Sequence, residues 1–582
     1  MPSISARRLC LFLPLLFVGP VAAHEMQGPT SSKAPAASSA PQIPESELPA
    51  DPRFSAARMK ADVSFLSDDL LEGRDTGSRG YEIAARFVAE RFASLGLTPM
   101  GDQATDGARG WMQRITLQKT EKTEAPSGVT ISGPKGSATF DYGVASLVSV
   151  NANELDLNVS APLVFVGYGI ENDRFGLHDY AGLDVKGKIV VLLRGYPVGL
   201  PSEEGAYLSS AKSKAAQDRG AIGVISIDTS LSAKTRSFEK RASMSDGTSF
   251  TWIKADGAAF DESPGIRATA GLDDKAAEAL LAGAPQTLAQ IRAVAAKKGG
   301  VPKGFALKTS ARIFGQSTSS RVTSPNIVAM LPGSDPVLKD DYVVLSGHLD
   351  HLGISKAKPG EPADKDRINN GALDNAAGTA TTLEVARALS EDKAKPRRSV
   401  IFVISTGEEK GLIGAGYFAH NPPVPVERIV GNVDLDMPLL LYPFTDVIAF
   451  GADHSTLGKE VAAAVAPMKV SLSPDPMPQE NIFVRSDHFR FVQQGVPAVF
   501  FATGFANGGE AKWGEFLSKF YHSPADDMNQ AINWRAAARF AEANYRVTRA
   551  MADSDAPPLW YEGNFFGDLF APKAKKAAVP AK

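Results

Sequence analysis

The spacing of apolar residues changes along the chain and divides it into regions. After about Asp51 apolar residues recur at helical intervals, which predict one helix through Met59 and Leu70 and a second helix from about Tyr81 to Leu95. Residues 71–78, between these helices, are rich in turn formers. By themselves they indicate only a connecting loop.

Short β-type runs and Gly-rich turns dominate from about residue 138 to about residue 303. The runs 161–166, 188–193 and 221–226 predict strands, and residues 208–219 predict an amphipathic helix. We therefore expect a compact β-rich module, residues 138–303, inserted into a larger domain. That domain would comprise residues 51–137 and 304–555.

Strand and helix patterns alternate after about Lys308. This alternation predicts an α/β domain whose sheet is mixed but mostly parallel, with helices on both faces. The predicted strands are 327–331, 342–345, 399–404, 429–435, 447–450 and 498–501. The predicted helices are 376–390, 411–420, 457–465, 488–494 and 536–553. A long Gly-rich loop is expected between the last strand and Tyr521.

The two ends of the chain do not share this pattern. Two arginines precede an apolar run, residues 9–21, that closes on small residues, as in a secretory signal peptide cleaved after Ala23. The run is shorter than the roughly 20 residues of a membrane-spanning helix, so a retained anchor is the weaker alternative. Residues 24–50 are predicted to be a disordered linker, and residues 556–582 a C-terminal tail, disordered from about residue 571.

The amino-acid composition limits the kind of protein and the partners to be expected. The 582 residues are 43% apolar and 22% charged, which is ordinary for globular proteins. A net charge of −3 gives no argument for nucleic acid or an anionic membrane as a partner. The single cysteine, Cys10, lies in the predicted signal peptide. We expect a disulfide-free protein exported to the periplasm or the medium, with no stable membrane association after cleavage, and its oligomeric state stays open.

Chemically active side chains follow the strand predicted at 342–345. Gly347 ends the apolar run, and His348, Asp350 and His351 come within the next four positions. In open α/β sheets ligands bind beyond the carboxyl ends of the strands. We therefore expect a functional site at this point.

Other predicted strand ends and helix starts also carry acidic or imidazole groups. These groups are Asp374, Glu408, Glu409, Asp434, Asp436 and His522. Each alone has an ordinary explanation as a helix cap, a favourable charge at a helix start or a surface histidine. Their common location at one edge of one predicted sheet is harder to explain that way.

The mixture of carboxylates and imidazoles without thiols is suited to Zn²⁺ or another divalent ion in an open, catalytic site. Two ions about 3.5–4 Å apart need a bridging carboxylate and can share one hydroxide nucleophile. One acidic side chain is then left to take the proton from water.

Six segments of the chain resemble, in order, the motif series of the di-zinc aminopeptidase family of peptidase clan MH. They are HLDH (348–351), GALDNAAG (371–378), TGEEKGL (406–412), DM (436–437), SDH (486–488) and YHSPADD (521–527). The resemblance covers about residues 51–555 apart from the insert. It implies the phosphorylase/hydrolase-like fold of zinc exopeptidases.

The resemblance also implies two Zn²⁺ ions per chain. Matched by position, His348, Asp374 and Asp436 would bind one ion, and Asp374, Glu409 and His522 would bind the other. Asp374 would be the bridge. Asp436 is preferred as the ligand because the family's aspartate precedes a methionine.

Several roles beside the metal ligands follow from the same resemblance. Glu408 would be the general base, Asp350 would orient His348 from behind, and Tyr521 would hydrogen-bond the developing oxyanion. Arg485 is a weaker candidate for contacting the substrate.

Two residues near the expected ligands are not assigned as metal ligands. Asp434 shares a face of its strand end with Asp436 and is expected to lie behind it. His351 is given no ligand role, because both zinc sites are filled without it.

The insert resembles a protease-associated (PA) domain through FVGYGI (165–170) and DYAGLDVKGKIV (179–190). The resemblance implies a module over or beside the cleft that restricts substrate size or supplies contacts.

The activity implied is that of a secreted zinc metallopeptidase, favoured as an aminopeptidase that releases N-terminal residues from peptides. The alternatives are a carboxypeptidase of the glutamate-carboxypeptidase type and, less well supported, a glutaminyl cyclase, which does not need a complete second zinc site. A non-catalytic receptor-like module is disfavoured by the complete set of ligands.

Overall fold

The computed structural model describes residues 42–358 and 360–580. The predicted signal peptide, residues 1–23, and most of the predicted linker lie outside the described residues. Within those residues, none of the helices combines the length and the apolar character needed to cross a membrane.

The strands fall into two large sheets and two small hairpin-like pairs. They are β1 (Thr98–Pro99), β2 (Met112–Lys122), β3 (Gly128–Gly133), β4 (Gly136–Asp141), β5 (Ser146–Val148), β6 (Asp156–Phe165), β7 (Glu171–Asn172), β8 (Leu177–His178), β9 (Ile189–Leu193), β10 (Gly223–Ile227), β11 (Thr248–Trp252), β12 (Ala268–Leu272), β13 (Phe305–Leu331), β14 (Tyr342–His348), β15 (Gly353–Ile354), β16 (Ile368–Asn369), β17 (Ser399–Ser405), β18 (Ile429–Asp434), β19 (Asp446–Phe450), β20 (Ser471–Ser473) and β21 (Ala498–Thr503).

The α-helices occur in both halves of the chain. They are α1 (Ala56–Leu66), α2 (Arg79–Ser94), α3 (Ser202–Ser210), α4 (Lys212–Gln217), α5 (Ser230–Thr235), α6 (Phe238–Met244), α7 (Asp274–Leu280), α8 (Leu288–Ala295), α9 (Ala377–Glu391), α10 (Ile413–His420), α11 (Leu457–Val465), α12 (His488–Val492), α13 (Gly509–Lys519), α14 (Trp534–Asp553) and α15 (Phe565–Phe570).

The first sheet carries the predicted site. Its strand order is β11–β2–β13–β17–β14–β18–β21–β19–β20. The four central strands β17, β14, β18 and β21 are mutually parallel. Strands β2 and β13 pair antiparallel with their neighbours, whereas β19 pairs antiparallel with β21 and parallel with β20. Val343, Val344 and Leu345 of β14 are fully buried, as expected for a central strand covered on both faces.

Two groups of helices cover this sheet. Helices α1, α2, α9 and α14 pack with one another and against β13, β14 and β17. Helices α10 and α12 form a second group on β13, β18 and β21. The predicted α/β class, with a mixed sheet and helices on both faces, is confirmed.

The second sheet belongs to the inserted module, with strand order β4–β3–β13–β6–β9–β10–β12–β5. Strand β13 belongs to both sheets, since residues 305–316 pair with β3 and β6 and residues 317–327 pair with β2. The module's sheet therefore extends from residue 128 to residue 316, beyond the predicted 138–303. An uninterrupted strand gives no break in residue pattern where one sheet ends and the other begins.

Three segments are more ordered than the sequence predicts. The region expected to be a Gly-rich loop contains α13, whose Trp513 and Phe516 are buried. At the end of the predicted linker, Leu48 is buried. In the predicted tail Trp560 and Phe566 are buried, and Tyr561 pairs with Ala577. These few large apolar groups are buried by packing on distant parts of the chain.

Candidate metal centre

The predicted site residues meet at the carboxyl ends of the central parallel strands. His348 is the last residue of β14 and is in register with Ser405, the last residue of β17. Glu408 and Glu409 follow β17, and Asp436 follows β18. Because neighbouring parallel strands end at the same edge of a sheet, their following loops are brought together.

Asp374 reaches the centre from the turn before α9. The carboxylate of Asp526 accepts hydrogen bonds from the backbone N–H groups of Leu373 and Asp374, with the latter at 3.0 Å. The peptide bond between Asp374 and Asn375 is cis. Asn375 donates to the carbonyl of Leu435 at 2.8 Å, so the turn is tied to the end of β18.

The first group of candidate ligands is His348, Asp374 and Asp436. The Nε2 atom of His348 lies 3.0 Å from Asp436 Oδ1 and 3.4 Å from Asp374 Oδ1. One potential ligand atom from each of the three residues lies within 4.8 Å of the others. This is the set predicted for one of the two ions.

The second group lies on the other side of Asp374. His522 Nε2 is 3.3 Å from Asp374 Oδ2 and 3.4 Å from Glu409 Oε2. Asp374 therefore directs Oδ1 towards His348 and Oδ2 towards His522. That is the arrangement expected of a carboxylate shared by two ions.

His351 lies in this second group, although the sequence analysis gave it no ligand role. Its Nδ1 is 2.7 Å from Glu409 Oε1 and 3.9 Å from Asp374 Oδ2, and the three residues can together surround an ion. The side chain is fully buried, and its Nε2 has no hydrogen-bond partner among the described residues. Counting ligands along the sequence could not detect this proximity.

The charges of the centre fit a divalent cation. The ion pairs that the described residues give to Asp374, Asp436 and Glu409 are all with histidines, not with lysine or arginine. Burial acts to raise the pKa of Asp374, but the surrounding imidazoles outweigh it and hold that pKa well below its usual range. Nitrogen and oxygen donors without sulfur match zinc in an open site.

Asp350 is buried beside His348 but contacts it in an unexpected way. His348 Nδ1 is 3.0 Å from the backbone carbonyl oxygen of Asp350 and 3.9 Å from its carboxylate oxygen Oδ1. The carboxylate instead accepts hydrogen bonds from the Thr76 hydroxyl at 3.0 Å and the Glu408 backbone N–H at 3.2 Å. The predicted orientation of His348 by Asp350 thus runs through the main chain.

Glu408 stands next to the candidate ligand Glu409. Desolvation raises the pKa of the Glu408 carboxyl well above its usual range. His348 opposes this shift, whereas the neighbouring Asp436 carboxylate reinforces it. A carboxylate that gains a proton readily has the property that a general base needs.

Tyr521 and Arg485 lie near each other and near the carboxylates of the centre. The Tyr521 ring stacks on His522 with 3.7 Å between ring centroids. Burial and the charges of Asp374 and Glu409 raise the pKa of Tyr521 well above its usual range, so its hydroxyl stays protonated. Arg485 donates to the Glu480 carbonyl at 2.8 Å, and its buried Nε has no hydrogen-bond partner among the described residues.

Asp434 supports Asp436 through a serine. Ser346 donates to Asp434 at 2.6 Å, and the Ser486 hydroxyl lies 3.2 Å from Asp434 and 2.9 Å from Asp436. Burial raises the pKa of Asp434 to about 6. Asp434 therefore lies behind Asp436, as expected from the alternation along the strand.

Arg74 is a buried residue of the centre that sequence reasoning missed. Its guanidinium donates to the backbone carbonyls of Leu349, Asn370, Gly371 and Leu66. It thereby ties the loop after β14 to the turn that carries Asp374. The turn-rich composition of residues 71–78 carried no signal for this role, because the acceptors are main-chain atoms that any residue provides.

The inserted module and the C-terminal segment both contact the domain that holds the centre. Glu203 of α3 lies 2.9 Å from His454 Nε2, and Asn564, just before α15, lies 2.8 Å from His454 Nδ1. Arg490 of α12 bonds both to Glu262 of the module and to the Gly411 carbonyl, two residues beyond Glu409.

Carboxylates and imidazoles gathered around one shared aspartate, at the carboxyl ends of a parallel sheet, define an α/β protein of the metal-dependent hydrolase class. Comparison of the sequence with models of protein families shows which family within this class the chain resembles. Residues 326–548 match the model of peptidase family M28, and residues 159–255 match that of the PA domain. Residues 326–548 are therefore similar to peptidase family M28 and residues 159–255 to the PA domain, which confirms the resemblance predicted from the sequence.

Individual relatives are more distant. Leupeptin-inactivating enzyme 1 of Streptomyces exfoliatus is 27% identical over 282 residues, 45% of this chain and 56% of that protein. Probable leucine aminopeptidase 2 of Aspergillus fumigatus is 28% identical over 259 residues, 40% of this chain and 47% of that protein. The chain thus spans about half the length of these curated relatives.

Among solved structures, an aminopeptidase from Aneurinibacillus sp. strain AM-1 is similar to this chain. It is 22% identical with a TM-score of 0.47, and the match covers 87% of this chain and 95% of the other.

Proposed function

We propose that this protein is a zinc-dependent aminopeptidase that binds two ions and removes residues from the N-termini of peptides. The observation that carries the proposal is the position of Asp374. Its Oδ1 lies 3.4 Å from His348, and its Oδ2 lies 3.3 Å from His522. Two ligand groups that share a single carboxylate provide for a pair of ions.

The proposed ligands are those implied by the sequence, His348, Asp374 and Asp436 on one side and Asp374, Glu409 and His522 on the other. Bound zinc would supply Lewis acidity towards the peptide carbonyl and lower the pKa of water.

The chain's own side chains would move the proton and stabilise the developing charge. Glu408, next to Glu409, would take a proton from the attacking water and pass it to the leaving amine. Tyr521, held protonated, would donate a hydrogen bond to the oxyanion that forms at the carbonyl. The Nε of Arg485, which has no hydrogen-bond partner in the described part of the chain, would be a second donor near the centre.

Trimming of the amino end is favoured over trimming of the carboxyl end. Several relatives carry aminopeptidase names, including aminopeptidase Y of Saccharomyces cerevisiae, 27% identical over 37% of this chain and 36% of that protein. A carboxypeptidase would need a free cation for the terminal carboxylate, but Arg485 lies 3.6 Å from the Glu480 carboxylate. An aminopeptidase recognises the ammonium group of its substrate and therefore needs no free cation.

The proposal also includes export and a role for the PA domain. The apolar run at residues 9–21 supports export to the periplasm or the medium. Cell fractionation that finds the full-length chain in the cytoplasm would contradict this. Contacts of Glu203 and Glu262 with the metal-binding domain support a PA domain beside the cleft that limits substrate size. Equal turnover of peptides of every length would contradict that role.

The first test is a digest of matched peptides with and without a chelator. Peptides with free ends should lose N-terminal residues, and N-acetylated peptides should resist, whereas C-terminal amidation should have little effect. Chelation should abolish cleavage, and added zinc should restore it. Trimming from the carboxyl end, or activity that survives complete removal of metal, would refute the proposal.

The second test is Glu408→Gln, which keeps the shape of the side chain but removes the base. Loss of a general base typically costs about 10²–10⁴-fold in rate. Zinc content measured by mass spectrometry should stay at the wild-type level. Wild-type activity in this variant would remove Glu408 from the mechanism.

A further inference from the structure

Residues 71–78, an ordinary loop in the sequence, lie directly against the metal centre. The Arg74 guanidinium is buried and bonded to backbone carbonyls, and its own carbonyl accepts the backbone N–H of His351 at 3.2 Å. The next two side chains also bond to residues beside the centre, since Asp75 pairs with Lys410 at 2.8 Å and Thr76 donates to Asp350 at 3.0 Å. The loop therefore has one fixed position relative to the centre.

The contacts of Asp350 divide between its backbone and its side chain. The backbone carbonyl faces His348 Nδ1 at 3.0 Å. Carboxylate Oδ2 accepts from Thr76, and carboxylate Oδ1 accepts from the backbone N–H of Glu408 at 3.2 Å. His348 would keep its orientation if the carboxylate were removed, but the turn that carries Glu408 would lose its hydrogen-bond acceptor.

We propose that Thr76 and Asp350 are positioning residues for Glu408. The Thr76 hydroxyl donates a hydrogen bond to the Asp350 carboxylate, and that carboxylate accepts a hydrogen bond from the Glu408 backbone N–H. This inference rests on the proposed role of Glu408 as the general base. Thr76 fixes one carboxylate oxygen, so that the other is directed at the turn after β17. The pair acts on the rate of the chemical step and leaves metal binding unchanged.

Further contacts hold the same turn and make the role of Asp350 specific. Lys410 is tied to Asp75, and the Thr406 hydroxyl lies 2.6 Å from Ser324 Oγ. The side chains on either side of Glu408 are thus anchored, and Asp350 holds the N–H of Glu408 itself. Asp350 is fully buried and Thr76 is 6% exposed, so water cannot readily replace either group.

The main test uses Thr76→Val, which removes the hydroxyl with little change in shape. We expect kcat to fall about tenfold, since misplacement of a catalytic group by a fraction of an ångström to an ångström costs up to about a hundredfold. KM and the number of zinc ions per chain should not change. Thr76→Ser, which restores the hydroxyl, should recover most of the lost kcat.

Thr309→Val is the matched control. Thr309 is another buried threonine, and its hydroxyl donates to the Leu280 carbonyl at 2.7 Å in the inserted module. This variant should keep wild-type kcat and zinc content. Thermal melting of all three variants shows whether any loss of rate reflects unfolding.

A second set of variants tests whether the two residues act as one unit. Asp350→Ala should lower kcat more than Thr76→Val does, and the double variant should be no slower than Asp350→Ala alone. Asp350→Asn should recover much of the rate, because its amide can accept from Glu408 N–H and donate to the Thr76 oxygen. Zinc content should equal that of the wild type in every case.

Two results would overturn the inference. One is an unchanged kcat in Thr76→Val, and the other is loss of zinc in step with loss of activity, which would mean that Asp350 acts on His348. Glu408→Gln, assayed in parallel, separates this inference from the proposed function. If Glu408→Gln is active, the proposed role of Glu408 as general base fails and this inference fails with it, whereas if it is inactive and Thr76→Val is normal only the positioning role fails.

Discussion

In both large sheets of this protein, neighbouring parallel strands end side by side. The residues that follow the strands pair differently in the two sheets. In the PA domain the parallel strands β9 and β10 end side by side, and Arg194 and Asp228 follow them. Asp228 is paired at 2.9 Å with Arg194 and at 2.6 Å with Arg241. In the first sheet β14 and β17 also end side by side, but the carboxylates there pair with histidines.

The difference shows what turns a strand end into a metal centre. Arginine is always charged and satisfies a carboxylate permanently, so the PA edge has no unbalanced negative charge. Histidine, unlike arginine, can lose its proton, so the imidazoles at the other edge can give up their charge and offer lone pairs to a cation. Arg74, a buried cation beside the loops of the centre, bonds to backbone carbonyls and so positions those loops.

The largest effect should come from Asp374→Asn, which removes the charge that both ligand groups share. We expect loss of bound zinc and a fall in activity of several orders of magnitude, measured by metal analysis and peptide hydrolysis. Asp228→Asn is the matched change at the other sheet and should keep zinc and activity. Two zinc ions per chain in Asp374→Asn would mean that this residue is not the bridge.

A smaller effect is expected from His351→Gln. His351 lies 2.7 Å from Glu409 and has a buried, unpartnered Nε2, so it contributes either to holding Glu409 or to the ion itself. Loss of such a contact typically costs about 10–100-fold in metal affinity or activity. Zinc titration should show one ion weakened more than the other. Equal weakening of both ions would count against a role confined to the second group.

The smallest effect on catalysis is expected at the PA strand ends. Asp228→Asn leaves Arg194 and the buried Arg241 without their full counter-charge, and breaking a buried pair costs about 3–5 kcal/mol. The melting temperature of the PA domain should fall while kcat of the folded protein stays the same. Loss of activity without loss of stability would indicate that the PA edge takes part in the chemistry.

Much of the fold could be predicted because the central strands are strongly patterned. The helix predicted at 457–465 is α11, and the strand predicted at 399–404 differs from β17 by one residue. The sheet of the insert extends beyond the predicted 138–303, because β13 crosses both sheets without a change of pattern. Helix α13 was missed because glycines dominate its start, and burial of Trp513 stabilises it in place of local propensity.

The candidate site was predictable where side chains carry the chemistry. The proposed ligands stand at strand ends or helix starts, and their residue types match a metal. Arg74 and Thr76 were not predictable, because most of their partners lie more than two hundred positions away and those of Arg74 are main-chain carbonyls. The proximity of His351 to Glu409 likewise depends on how two loops fold over each other.

The sequence by itself determined the α/β class, the family resemblance and the set of carboxylates and histidines, since these depend on local pattern and residue type. Only the tertiary structure decided which atoms face one another. It directs the two oxygens of Asp374 to different histidines, places His351 against Glu409, and turns the Asp350 carboxylate from His348 towards Thr76 and Glu408. These contacts join residues far apart in the chain, and their geometry is set by the packing of whole strands and helices.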